Sequence, residues 1–381
     1  MEWKVPLFEP NLGDAEVRAL EEVIRSGWLT MGKKTALFEE RFAQFVNCRH
    51  AIATNSCTAA LHLAIASLEL EENDEVICPS LTFVATANAV RYCGARPVFA
   101  DVASLHDWNI NASAIELVLT PRTKAIVVVH YAGYVCDMKP IEALARNNGI
   151  AIIEDVAHAP GASRDGKAAG AWGLAGCFSF FSNKNLTTGE GGMVTTNDAE
   201  LAENIRRMRS HGMTTLTLER YKGHAFSYDV TELGFNYRMS ELNAALGLVQ
   251  LDHVEARNEQ RRSLTAKYRE MLAEVEGVII PFASYPGVSA CHIMPILLPD
   301  YVDRRETMEH LRAAGVQSSI HYRPVDTFTA YQSARLGECD YLYNTHAIGR
   351  RVLTLPLFPS MSLKQVEYVC RVLLKALAAA L

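Results

Sequence analysis

Residues 177–196 read CFSFFSNKNLTTGEGGMVTT. Two short apolar runs, 177–181 and 193–195, flank a polar, Gly-rich turn that carries Lys184. Short apolar runs bounded by Gly and Asn are strand signals. Five more lie upstream, at 51–53, 75–78, 97–100, 125–130 and 150–154, several of them separated by helical stretches. That alternation predicts an α/β fold with a mostly parallel sheet covered by helices.

Outward from this centre, Asp14 precedes Val17, Leu20, Val23 and Ile24 at helical spacing, and Gly27 follows. Cap, stripe and stop agree on a first helix. A second helix, 35–46, is expected to bury Leu37, Phe38, Phe42 and Phe45. From Ser240 a helical pattern runs almost unbroken to Gly277, first apolar (Leu242, Leu246, Val249) and then charged from Glu255 to Glu270. Strands at 278–281, 291–298 and 316–322 follow, with a helix over 303–314 stopped by Gly315 and an amphipathic helix over 369–381. The chain of 381 residues therefore divides into a large α/β domain, 1–250, with an N-terminal arm and helix, and a small α+β domain, 251–381.

Hydrophobic residues at 49% and charged residues at 21% exclude a disordered chain, and a net charge of −6 disfavours non-specific nucleic-acid binding. An anionic ligand must be held locally. Nine cysteines, odd in number, scattered and never spaced Cys-x-x-Cys, read as reduced thiols of a cytoplasmic protein. The start MEWKVPLFEPNLG carries acidic residues and two prolines where an export signal needs a basic start and an apolar run, and the apolar stretch 369–381 is interrupted by Arg371 and Lys375 and too short to span a bilayer. No membrane partner is expected.

Three features carry chemistry. The apolar run AIIED, 151–155, places Asp155 at the carboxyl end of a parallel strand, where α/β proteins bind ligands; His158 follows three residues later. Residues 50–64, HAIATNSCTAALHLA, read strand, polar turn, helix, and set Ser56, Cys57 and Thr58 at a helix start whose free amides suit an anion. A helix end contributes only about 0.3–1 kcal/mol when exposed, so a phosphate needs further donors. Lys184 lies in a turn whose flanks ask to be buried, and desolvation leaves such an amine nucleophilic enough for a Schiff base. Taken singly, each also fits a structural reading: a solvated strand end, a packed histidine, a capped helix, a loop lysine. Together they supply what pyridoxal phosphate (PLP) needs: an amine for the aldehyde, a carboxylate for the pyridine nitrogen and donors for the phosphate.

Competing motifs fail. GASRDGKA, 161–168, nearly matches a phosphate loop, but Ala168 stands where the Mg²⁺-binding hydroxyl belongs, and 164–167 reads better as a hairpin turn. GxSxG, HExxH and a GxGxxG after the first strand are absent from the sequence, and the twelve histidines show no paired metal spacing.

Nine blocks in order, SGWLTMGKKTALFEERFA (26–43), NSCTAALHLA (55–64), PSLTFVATANAV (79–90), VVVHYAGYVCDM (127–138), IIEDVAHAPGA (152–162), FSFFSNKNLTTGEGG (178–192), LGFNYRMSELNAALG (233–247), HYRPV (321–325) and LPLFPSMS (355–362), resemble the DegT/DnrJ/StrS family of PLP-dependent sugar aminotransferases. The resemblance implies a fold-type I enzyme with a mostly parallel seven-stranded sheet, working as a homodimer with shared active sites. By position it makes Lys184 the Schiff-base lysine and proton shuttle, Asp155 the partner of the ring nitrogen and His158 a neighbour of the ring. Ser179 and the Cys57/Thr58 turn would bind phosphate, Asn236 would add a donor from the partner subunit, and Phe83 would stack on the ring. Gly27, Trp28, Leu29, Thr30, His321 and Tyr322 fall at sugar-contacting positions. Cys57 stands where Gly or Ala is frequent, Phe181 where His or Tyr is usual, and Asp326 where many members have His. A lysine at 184 argues against the family's dehydratases, which carry histidine there.

The implied reaction moves an amino group from L-glutamate, leaving 2-oxoglutarate, to a nucleotide-linked keto sugar in deoxyamino sugar biosynthesis. GFNYRMSEL, 234–242, resembles members that aminate C4, so a 4-keto-6-deoxyhexose is expected, and basic residues between Arg206 and His224 are candidates for its diphosphate. The alternatives are a 3-keto sugar, a cyclitol of the scyllo-inosose type, or a non-catalytic PLP-binding regulatory protein.

Overall fold

A computed structural model describes residues 3–214, 228–334 and 341–379. All seven strands expected of the large sheet form: β1 (His50–Thr54), β2 (Glu75–Pro79), β3 (Arg96–Ala100), β4 (Thr123–Val129), β5 (Ala151–Asp155), β8 (Ala175–Ser179) and β9 (Gly192–Thr196). Between β5 and β8 lies the expected hairpin, β6 (Ser163–Arg164) and β7 (Lys167–Ala168), turned by Asp165 and Gly166 at φ 52° and 75°, as a two-residue hairpin loop requires. The sheet order is β1-β9-β8-β5-β4-β2-β3, and β9 alone runs against the other six strands.

The strands read as continuous apolar runs because both faces are covered. Ile77, Val98, Ile126, Val128 and Phe178 pack with Phe38 and Phe42 on one side, whereas Val76, Val127, Ile153, Cys177 and Val194 pack with Leu61, Val90 and Ile205 on the other. Period-two alternation along each strand thus survives as a choice between two cores. Helix α2 (Lys33–Val46) supplies Phe42, whose ring meets Phe178 edge-on at 4.8 Å.

Four expectations are corrected. Helix α1 (Asp14–Ser26) is capped by Gly13, not Asp14; the Glu16 carboxylate accepts the Gly13 amide at 2.8 Å and takes Gln250 Nε2 at 2.7 Å, so the polar Glu16 turns inward while Val17 and Ile24, 63% and 64% exposed, turn outward. In α2, Leu37 is also exposed, because Phe38 and Phe42 fill the contact with the sheet. The pattern over 240–277 is two helices, Glu241–Leu251 and Val254–Leu272; the turn between them lets Leu248 face the large core and Leu264, Tyr268 and Leu272 the C-terminal one. Finally, of three strands expected after residue 277 only β10 (Met294–Leu297) is regular; it pairs with β11 (Val352–Leu355), absent from the expected set, while 278–281 contributes one isolated bridge and 316–322 two.

Helix Arg304–Ala313 forms as expected, with Asp303 Oδ1 accepting the Glu306 amide at 3.0 Å and Gly315 at φ +80° ending it. The last helix, Leu363–Ala378, starts earlier than expected from a Ser362/Gln365 capping box. Val5 bridges Val316 and belongs to the C-terminal core, so the N-terminal segment crosses to that layer. The eight described cysteines are free, and no helix of the described residues is long and apolar enough to cross a membrane.

Candidate active site

The site grows from three segments at the carboxyl ends of parallel strands of the sheet. Strand β5 ends at Asp155; helix α3 (Cys57–Ala66) starts where β1 ends; the turn after β8 carries Lys184. Cys57, Thr58, Phe83, Asp155, His158, Ser179 and Lys184 line one cavity of about 330 Å³, together with His321 and Tyr322 from the C-terminal layer.

At α3, Ser56 Oγ accepts the Ala59 amide at 3.1 Å, and the Cys57 and Thr58 amides of the same first turn remain for an anion. Gly192 on β9 lies flush beneath this turn: a Cβ there would sit 2.5 Å from the Ser56 carbonyl. Asp155 is buried; its carboxylate accepts the Thr86 hydroxyl at 2.8 Å and the Ala157 amide at 3.1 Å. Burial pushes its pKa up, against the pull of those two bonds and of Lys184. Burial also brings the Lys184 ammonium down from the usual lysine range to about 8, opposed by Asp155 and Cys57. The thiol of Cys57 is raised by burial and held near the Cys177 carbonyl, 3.6 Å away, so it is no nucleophile.

His158 Nδ1 accepts the Ala132 amide at 3.2 Å, which leaves Nε2 to carry the proton and donate to the Tyr322 hydroxyl at 2.9 Å. Burial, then Lys184 and His321, hold this imidazole neutral. Phe83 is 58% exposed at the cavity mouth, its ring 6.1 Å from that of Tyr322. An amine of lowered pKa, a buried carboxylate and a helix start with a nearby serine are the donor set that pyridoxal phosphate requires, and here they share one cavity.

Other expected residues lie elsewhere. Gly27, Trp28, Leu29 and Thr30 stand between α1 and α2, where the Leu29 carbonyl accepts the Glu241 amide at 3.0 Å, outside this cavity. Asn236 is also outside it, bridging to Ser210. Asp326 is fully buried and accepts from Ser80 Oγ at 2.5 Å, with His346 Nε2 at 2.8 Å, so its departure from the family pattern concerns packing, whereas Phe181 does line the cavity. Within the basic stretch, Arg206 pairs with Glu203, Arg207 with Glu232 and Arg209 with Glu39; residues 215–227 lie outside the described residues. Sequence reasoning missed Thr86, which holds Asp155, and His292, whose Nε2 lies 3.4 Å from Lys184 Nζ. No local motif marks either one.

The family model for the DegT/DnrJ/EryC1/StrS aminotransferase family matches residues 10–374. The spore coat polysaccharide biosynthesis protein SpsC of Bacillus subtilis is 39% identical over 372 residues, 96% of this chain and 95% of that protein. Among solved structures, the PLP form of Spr1654 from Streptococcus pneumoniae superposes with a TM-score of 0.90 at 26% identity, over 100% of this chain and 99% of the other. DesI, solved in the presence of its TDP-sugar product, gives 0.89 at 31% identity, over 100% and 95%. The chain belongs to the DegT/DnrJ/EryC1/StrS family and is a PLP-dependent sugar aminotransferase.

Proposed function

We propose that this enzyme transfers the amino group of L-glutamate to C4 of a nucleotide-linked 4-keto-6-deoxyhexose, in the cytoplasm and as a homodimer with shared active sites. The observation that carries the catalytic part is the placement of Lys184 in one cavity with Asp155 and the start of α3. Bound PLP supplies an aldehyde for the amine and a ring that draws electrons from the carbon losing its proton. Asp155, fixed by Thr86 and Ala157, offers a carboxylate to the ring nitrogen and keeps it protonated. Cys57 and Thr58 amides and the Ser179 hydroxyl take the phosphate, Phe83 covers the ring, and His158 stands beside it, oriented by Tyr322. Lys184 takes the α-proton of the amino donor and returns it to the carbon across the shared nitrogen; on the sugar the same lysine runs these transfers in reverse.

The homodimer reading draws on the outward apolar side chains of α1 and on the position of Asn236 outside its own chain's cavity, free to serve another. Gly27, Trp28, Leu29 and Thr30 fit the same arrangement, and with His321 and Tyr322 they would meet the sugar. A nucleotide sugar is favoured because DesI was solved with a TDP-sugar product. The test is the visible spectrum before and after L-glutamate, with borohydride trapping and peptide mapping, followed by a panel of ketones. Glutamate-dependent loss of the yellow band, label on Lys184 and amination of the nucleotide-linked 4-keto sugar support the proposal. Amination of a 3-keto sugar or of scyllo-inosose replaces the substrate, and silence toward glutamate replaces the donor.

A further inference from the structure

Lys184 has a neighbour that the proton transfers above do not use. His292 reaches it from the segment just before β10, and its ring centre is 4.4 Å from that of His158. On its far side, His292 Nδ1 lies 2.9 Å from Asn185 Oδ1. The Asn185 amide group is already committed, since Nδ2 donates to Asn258 Oδ1 at 2.7 Å and to the Ala290 carbonyl at 2.8 Å. Asn258 Nδ2 in turn donates to the Pro160 carbonyl at 2.9 Å, which fixes its own orientation. His292 therefore faces an oxygen that only accepts, and Nδ1 must carry a proton. A second proton is disfavoured by burial first, then by Lys184, His158 and Arg261. What remains at Nε2 is a lone pair directed at Lys184 Nζ, 3.4 Å away. Arg261 fixes the backbone beneath the ring by donating to the His292 and Leu357 carbonyls at 3.0 and 2.9 Å.

We propose that His292 is a positioning residue: it accepts a hydrogen bond from Lys184 at Nε2 and holds the released side chain in line for proton transfer, with its tautomer set by the relay Pro160–Asn258–Asn185. This rests on the aminotransferase activity and adds a residue to it. In each half-reaction the C–H bond at the amino-bearing carbon breaks, its proton moves to Nζ, and Nζ gives it up at the carbon on the other side of the shared nitrogen. The proton never passes to His292. The imidazole supplies an acceptor for the ammonium apart from Asp155, whose carboxylate serves the ring nitrogen, and it fixes which Nζ hydrogens and which lone pair point into the cavity. A charge-assisted hydrogen bond of this kind corresponds to about ten- to a hundredfold in rate when it is lost.

Two measurements test it. The first is the ¹⁵N spectrum of histidine-labelled protein, with His292 assigned by its absence in His292→Gln. A protonated Nδ1 and a bare Nε2 are expected; a proton on Nε2 overturns the relay. The second is single-turnover loss of the yellow band on mixing the loaded enzyme with L-glutamate. His292→Leu is expected to slow it about ten- to a hundredfold, to enlarge the effect of α-deuteration, and to leave the half-saturating glutamate concentration within about twofold; His292→Gln, which keeps an acceptor, recovers part of the rate. A Leu variant that turns over at the parent rate overturns the proposal. Should the Leu variant fail to fold, the tautomer and the Gln variant still decide. Should the parent ignore L-glutamate, the donor assignment falls while the tautomer still judges His292.

Discussion

Lys184 titrates at about 8 because burial strips water from its ammonium faster than Asp155 restores the charge, and this fixes how quickly the apoenzyme captures an aldehyde. At pH 7.5 a group with that pKa is about one quarter neutral, whereas an ordinary lysine is neutral about once in a thousand, a gain of roughly two hundredfold in nucleophile. The perturbation is pH itself, from 6 to 10, applied to protein stripped of cofactor. The assay is the rate at which the yellow band rises on adding pyridoxal phosphate, compared with the same reaction of Nα-acetyl-lysine, whose rate should still be rising at pH 10. The rate should climb as the ammonium loses its proton and level off above a midpoint near 8. Asp155→Asn gives a second reading of the same physics. The carboxylate attracts the ammonium and raises its pKa, so its removal must move the midpoint lower, even though the variant turns over poorly. A midpoint near 10, or one that rises in Asp155→Asn, would refute the argument that burial sets the nucleophile.

Three further outcomes follow from the geometry. Gly192→Ala places a methyl 2.5 Å from the Ser56 carbonyl and must push the first turn of α3; it is expected to cost about 1–3 kcal/mol of stability and to weaken cofactor retention, read by urea unfolding and by dialysis, and unchanged retention would show that this turn does not hold the phosphate. Steady-state turnover of Asp155→Asn should drop about 10²–10³-fold with the fold intact by circular dichroism, whereas near-parental turnover would remove Asp155 from the site. Acid should destabilise the protein before carboxylates matter. His158, His292 and His321 are held neutral in the fold, His321 down to about 4, while the unfolded chain takes protons from about pH 6.5. Their contribution is complete above pH ~6.5 and declines by about 1.4 kcal/mol per pH unit for each histidine as pH falls toward the folded values, offset in part by the raised Asp155. Urea midpoints that fall between pH 7.5 and 5 support this; a flat profile counts against three neutral buried imidazoles.

The seven strands, the Asp155 strand end, the α3 start and the Lys184 turn were legible in the sequence because each rests on neighbours within a few residues: an apolar run, a cap, a Gly-rich stop. Ser240 and Asp303 were found as helix starts for the same reason. What lies between elements was not written locally. The stripe Val17–Leu20–Ile24 predicted a buried face, yet Glu16 turned inward because Gln250, 234 residues away, was there to meet it. β10 found β11 across the 54 residues of chain and helix between Leu297 and Val352, a pairing that no period in either strand specifies. In the cavity the sequence alone marked the candidate groups, an amine, a carboxylate and a helix start, since those depend on residue type and on the ends of local elements. Only the tertiary structure decided who holds them: Thr86 on Asp155 from 69 positions away and His292 on Lys184 from 108, because hydrogen bonds formed through space leave no periodic trace along the chain.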